Sequence, residues 1–157
     1  MRIEGRFLYG GPRLPGRLSF PGVGRPTGEV WFLLDSGAEL SVYVPDPENP
    51  NTPQFEDFHH LPEAVIGGFG GGHPVRVAPA VLFFDSQPEG RIQISRTIAV
   101  VDPATASGFP SVLGRDVLDY VRVTVDRSAG LVRLTDPEGD LDSDRWPDGE
   151  LRQREDS

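Results

Sequence analysis

The sequence predicts an all-β domain carrying one short helix near its C-terminal end. Three observations lead there. Nineteen glycines and sixteen prolines in 157 residues supply turns at a density that suits many short strands and few helices. The apolar residues fall in runs of about five, bounded by glycine, proline, asparagine or aspartate. Only the stretch around 113–118, apolar at Leu113, Val117 and Leu118, has helical spacing.

In chain order, residues 6–9 and 17–20 are predicted as two short strands separated by the turn-rich Gly10-Gly11-Pro12 and Leu14-Pro15-Gly16. Residues 30–34 (Val-Trp-Phe-Leu-Leu) form a continuous apolar run, as expected of a strand buried on both faces. Asp35-Ser36-Gly37-Ala38 breaks the run, and residues 40–44 resume it. Residues 45–63, rich in proline, asparagine and acids, are expected to form an irregular surface loop. Ala64-Val65-Ile66 leads into Gly67-Gly68-Phe69-Gly70-Gly71-Gly72, and 75–84 is strand-like again. Two further strands are expected at 91–94 and 97–101, a loop at 103–110, and the short helix within 112–120. Residues 122–126 and 131–134 flank Arg127-Ser128-Ala129-Gly130 as a closing hairpin. The body is thus assigned to residues 1–135.

Charge and composition exclude several functions. Of the net charge of −9, the segment 136–157 contributes nine acids against three arginines, which leaves 15 acids and 12 bases in the body. An acidic chain repels phosphate backbones, so nucleic acid is not an expected partner. The segment 136–157 is poor in apolar residues and is expected to be a solvated, largely disordered tail. The absence of cysteine excludes disulfides and thiolate zinc sites. His59-His60 and His73 have no acid or histidine at metal-ligand spacing and are expected to be solvated loop residues. Neither a phosphate-binding loop nor a dinucleotide fingerprint is present, because the glycine run lacks the lysine of the first and precedes a strand. The start, Met1-Arg2-Ile3-Glu4, has no leader character and no run is long enough to span a bilayer. A soluble, cytoplasmic protein with no membrane partner is the expectation.

One segment has chemical logic. Asp35 ends an apolar strand, where its neighbours disfavour the charged form. Ser36 can fix the loop by hydrogen bonding, and Gly37 permits a tight turn and the close approach of another chain. Taken alone, an Asp-Ser-Gly triplet is also an ordinary turn at a strand end. A single carboxylate cannot both activate water and protonate a carbonyl, whereas two about 3 Å apart can share one proton and divide the roles.

The order of parts resembles the retropepsin-like aspartic proteases. Leu33-Leu34-Asp35-Ser36-Gly37-Ala38 is similar to the family's apolar strand into Asp-Ser/Thr-Gly-Ala, residues 66–72 to its glycine-rich flap, and Val112-Leu113-Gly114-Arg115-Asp116 to its helix motif. The resemblance covers about residues 5–135. It implies a small closed β-barrel, a catalytic Asp35, a Ser36 that interlocks two active-site loops, and Gly37 and Ala38 with their backbone along a bound peptide. It further implies substrate contacts at Glu39, Gly67, Gly68, Phe69 and Gly70, and support from Gly114, Arg115 and Asp116, with Arg115 pairing to Glu39. Because the chain holds one such triplet and no room for a second lobe, the resemblance implies a homodimer with both Asp35 residues on its twofold axis. The implied activity is an aspartic endopeptidase acting on peptide or protein substrates, with no metal and no cofactor. Viral members dimerise largely through short terminal strands; here the final hairpin or the surfaces flanking the active site are the candidates. The alternatives are a non-catalytic barrel that binds or oligomerises, or a regulator that clamps a peptide without cutting it.

Overall fold

The computed structural model describes residues 1–67, 71–88, 90–106 and 108–136, with the backbone of 153–155. Its strands are β1 (Arg2–Leu8), β2 (Gly11–Ser19), β3 (Val30–Leu34), β4 (Val42–Tyr43), β5 (Glu63–Ile66), β6 (His73–Asp85), β7 (Arg91–Val101), β8 (Val112–Leu113), β9 (Arg122–Asp126), β10 (Leu131–Thr135) and β11 (Gln153–Glu155). One helical turn, α1 (Arg115–Leu118), follows β8.

Six of these strands close on themselves. β2, β3, β8, β4, β7 and β6 are neighbours in that order, and β6 returns to β2 through Arg17↔Phe83, Leu18↔Leu82 and Ser19↔Val81. A closed sheet leaves no edge among its members. Alternation then sorts the side chains: on β2, Leu14, Gly16 and Leu18 face inward, and Phe32 of β3 with Leu82 and Phe84 of β6 meet them. Ile92, Ile98, Leu113, Val132 and Leu134 complete a core in which each is at most 1% exposed. Outside the ring, β1 pairs with β2 and with β10, and β10 with β9, so that β9 ends the sheet.

Several elements differ from the sequence expectation. β2 runs unbroken through Pro12, Pro15 and Gly16. Proline lacks only the N–H, and Gly16 is tolerated because an added Cβ would stand 2.7 Å from the Phe84 ring. β7 is one strand, not two; the polar Ser95 and Arg96 do not break it, because it pairs with β6 along its length. β3 has Phe32 buried and its other residues half-buried, so it is not enclosed on both faces. The strand expected over 40–44 shortens to β4, with residues 39–41 belonging to the loop before it. The loop 45–63 is anchored: a 3₁₀ turn, Phe55–Phe58, buries Phe58 edge-on against Phe20 at 4.7 Å, and Asp57 accepts a hydrogen bond from Gln54 N–H at 2.8 Å. Of the segment 136–157, Asp136 holds the terminal ammonium at 2.8 Å, and β11 lies along β7. The rest of that segment lies outside the described residues. No helix among them is long and apolar enough to cross a membrane.

Candidate functional site

The connection between β3 and β4 crosses the β8–α1 junction, and this crossing positions Asp35. β8 lies between β3 and β4, parallel to β3, so the chain leaving β3 must pass over the start of α1 to reach β4. Backbone bonds hold the crossing at each step. Asp35 N–H donates to Leu113 C=O at 3.1 Å, Arg115 N–H to Ala38 C=O at 2.8 Å, and Asp116 N–H to Glu39 C=O at 3.2 Å.

Gly114 sits where the two passes touch. A Cβ there would lie 2.7 Å from the Leu40 carbonyl oxygen and 2.8 Å from that of Ala38, so a larger residue would push the loop away. Beneath the loop, Ser41 is fully buried and bonded on three sides. Its N–H donates to Asp116 Oδ2 at 2.9 Å and its hydroxyl to Asp116 Oδ1 at 2.8 Å, while Gly114 N–H donates to Ser41 Oγ at 3.1 Å. Arg96 Nε donates to the Asp116 carbonyl at 2.8 Å. Burial pushes the Asp116 carboxyl above its ordinary value, against the two Ser41 bonds and the charge of Arg96.

Asp35 itself is half-buried at the end of β3, and its Oδ1 accepts the Gly37 N–H at 2.9 Å, which orients the carboxyl and tightens the turn. Ser36 and Gly37 are exposed at the tip, and no hydrogen bond of the Ser36 hydroxyl occurs among the described residues. Over Asp35 opens a cleft of about 490 Å³ bordered by Gly37, Ala38, Glu39 and Leu40 on one side and by Val65, Ile66 and Gly67 on the other. Val42 and Val112 form its floor and belong to a second cluster of small buried residues with Val75, Ala99, Val101 and Ala106. A pocket of about 140 Å³ between Arg17, Glu29, Phe83 and Arg91 shares no residue with it.

The structure therefore brings together Asp35, Gly37, Ala38, Glu39 and Gly67 around one cleft, with Gly114, Arg115 and Asp116 behind it. β5 and β6 form the expected hairpin, paired from Glu63↔Arg76 to Ile66↔His73. Gly68, Phe69 and Gly70, named from the sequence as the flap tip, lie outside the described residues. Arg115 does reach Glu39, at 3.5 Å, but their side chains are 45% and 85% exposed. Such a pair contributes little.

The tie that the sequence reading missed is Ser41 to Asp116. A polar residue inside the apolar run 40–44 was the available signal, because a buried hydroxyl requires partners. His73 also departs from expectation: it opens β6 half-buried, with its ring edge-on to Phe109 at 5.2 Å. His59 and His60 are exposed, as expected. Among the described residues no group of three histidine, cysteine or acidic side chains is placed to hold a metal ion. Comparison with family models, with curated proteins and with solved structures finds no match for this chain.

Proposed function

We propose that the chain is an aspartic endopeptidase of the retropepsin-like type, active as a homodimer in which two Asp35 carboxyls face one another. The observation that supports it most is the placement of Asp35. It sits on a tight Asp-Ser-Gly turn, held from behind by a buried crossing, under an open cleft whose far side is the arm of a glycine-rich hairpin. Cleft size and lining suit an extended peptide, with apolar contacts from Leu40, Val65 and Ile66.

In the proposed mechanism two carboxyls share one proton, because like charges at close range cannot both ionise. The ionised Asp35 takes a proton from a water held between the chains, and that water attacks the scissile carbonyl. The protonated Asp35 of the other chain polarises the carbonyl oxygen and then gives its proton to the leaving nitrogen. Gly37 N–H, already donating to Asp35 Oδ1, fixes the carboxyl plane through the cycle. The Ser36 hydroxyl, exposed at the turn, is available to bond across the twofold and lock the two loops together. Closure of the β5–β6 hairpin over the cleft would exclude bulk water. A shared proton sets an acidic optimum.

The test is cleavage of unfolded casein from pH 3 to 8 by the wild type and by Asp35→Asn. Cuts by the wild type alone, with both proteins dimeric, support the dyad. Retained cleavage by Asp35→Asn refutes it. An uncleaved but tightly bound extended peptide would favour the peptide-clamping reading.

A further inference from the structure

The strand that ends the sheet, β9, reads Arg122-Val123-Thr124-Val125-Asp126. Among the described residues one of its two edges is used, by β10, through Thr124↔Arg133 and its neighbours. Among the described residues no strand lies on the other edge, and the chain's own β11 is seated elsewhere, on β7. A strand edge that no described strand covers is a template for another strand. Val123 and Val125, on one face, are 39% and 46% exposed.

The order of residues in β9 is self-complementary. Laid antiparallel on a second copy of itself, centred on Thr124, it sets Val123 opposite Val125 twice and Thr124 opposite Thr124. Arg122 then stands opposite Asp126 at both ends, so each copy offers the other a cation for its anion. A shift of the register by two would lose both of these charge pairs, and a parallel alignment would set like charges side by side. Asp126 is prepared for this role: its Oδ1 accepts Ser128 Oγ–H at 2.8 Å and Ala129 N–H at 3.2 Å, which holds the carboxyl in place and below its usual range.

We infer that two copies of this chain join through antiparallel pairing of β9 with β9 across a twofold axis at Thr124, and that this pairing carries the dimer in which the two Asp35 turns meet. The second part rests on the dyad reading above. A five-residue strand buries less than the roughly 1,200–2,000 Å² of a stable interface. The pairing of β9 therefore acts together with the active-site turns, and joins the sheet β1–β10–β9 of one copy to that of the other.

The experiment uses the lack of native cysteine. Thr124→Cys places a thiol on the proposed axis, where facing Cα atoms of an antiparallel pair lie about 4.5–5.5 Å apart, within the roughly 4.4–6.8 Å that a disulfide spans. Under mild oxidation at micromolar concentration, this variant should become a covalent dimer. Ala129→Cys, exposed on the adjacent turn and keeping its backbone N–H to Asp126, should cross-link at least tenfold more slowly. Equal rates would overturn the proposal. In a second arm, Arg122→Asp and Asp126→Arg should each sediment as monomers, whereas their equimolar mixture should recover the dimer, since both charge pairs then reform. A mixture that stays monomeric while the wild type is dimeric overturns it. So does a monomeric wild type whose β9 amides resist hydrogen exchange, which would mean that the chain's own acidic segment covers the edge. The two ideas fail separately. Cross-linking without any proteolysis leaves the β9 pairing and removes the dyad; Asp35-dependent proteolysis without cross-linking does the reverse.

Discussion

Replacing Ser41 by alanine should be among the most damaging single-atom changes near the site. The hydroxyl donates to Asp116 Oδ1 at 2.8 Å and accepts Gly114 N–H at 3.1 Å, and the serine is fully buried. Its loss leaves one N–H and one carboxylate oxygen short of a partner, each worth about 1–3 kcal/mol when buried. A total near 3 kcal/mol is therefore expected, which for a chain of this length lowers Tm by about 6–12 °C. The contrast is Glu39→Gln, which weakens the Arg115 pair. With side chains 45% and 85% exposed, that change should cost under about 1 kcal/mol. The assay is urea unfolding followed by tryptophan fluorescence, with Trp31 on β3, the strand that leads into Asp35, as a reporter. A fall in midpoint at constant slope measures the loss. Because Ser41 anchors the loop leaving Asp35, the proposed peptidase activity should fall more than stability alone explains, measured well below Tm. A Ser41→Ala midpoint equal to wild type, or a larger loss in Glu39→Gln, would refute the reasoning.

Three further outcomes are expected. Gly114→Ala forces a Cβ to 2.7–2.8 Å from two carbonyl oxygens and should destabilise by about 2–3 kcal/mol, read as a shift in urea midpoint. Tyr43 donates to the Pro53 carbonyl at 3.0 Å, and burial raises its hydroxyl from 10.0 to about 12. The folded protein thus keeps a proton that the unfolded chain releases, so this contribution is complete below pH 10 and is lost as pH rises toward 12. Absorbance at 295 nm should show Tyr43 ionising late, at or above the alkaline unfolding step, and Tyr43→Phe should remove that late step. Val65, 73% exposed on the hairpin arm, should tolerate Val65→Asp without loss of Tm. KM for an apolar peptide should rise about tenfold, equivalent to 1.4 kcal/mol, and an unchanged KM would remove Val65 from the substrate path.

Local physics made much of this protein legible in its sequence. The strand over 30–34, the abrupt turn at Asp35-Ser36-Gly37 and the hairpin around Arg127-Ser128-Ala129-Gly130 depend on neighbours in the chain: apolar runs end where turn residues begin. The single short helix was visible for the same reason, although only 115–118 winds. Strand lengths were not. Pro15 and Gly16 read as a break, yet β2 continues, because Phe84 of a distant strand needs the space that Gly16 leaves. Likewise Arg96 does not interrupt β7, because it is bonded to the Asp116 carbonyl, 20 residues away.

The site divides the same way. Sequence by itself singled out the Asp35 turn, since Asp35 and Gly37 lie two positions apart and their bond is local. It also determined the all-β class, through composition and periodicity. Only the tertiary structure decided that the sheet closes, because closure requires residues 17–19 to meet residues 81–83. Only the tertiary structure, too, could show that the hold behind the Asp35 turn is Ser41 on Asp116, 75 residues apart, rather than the exposed Glu39–Arg115 pair. Burial separates those two contacts in strength, and burial is a property of the packed chain, with no signature at any single position.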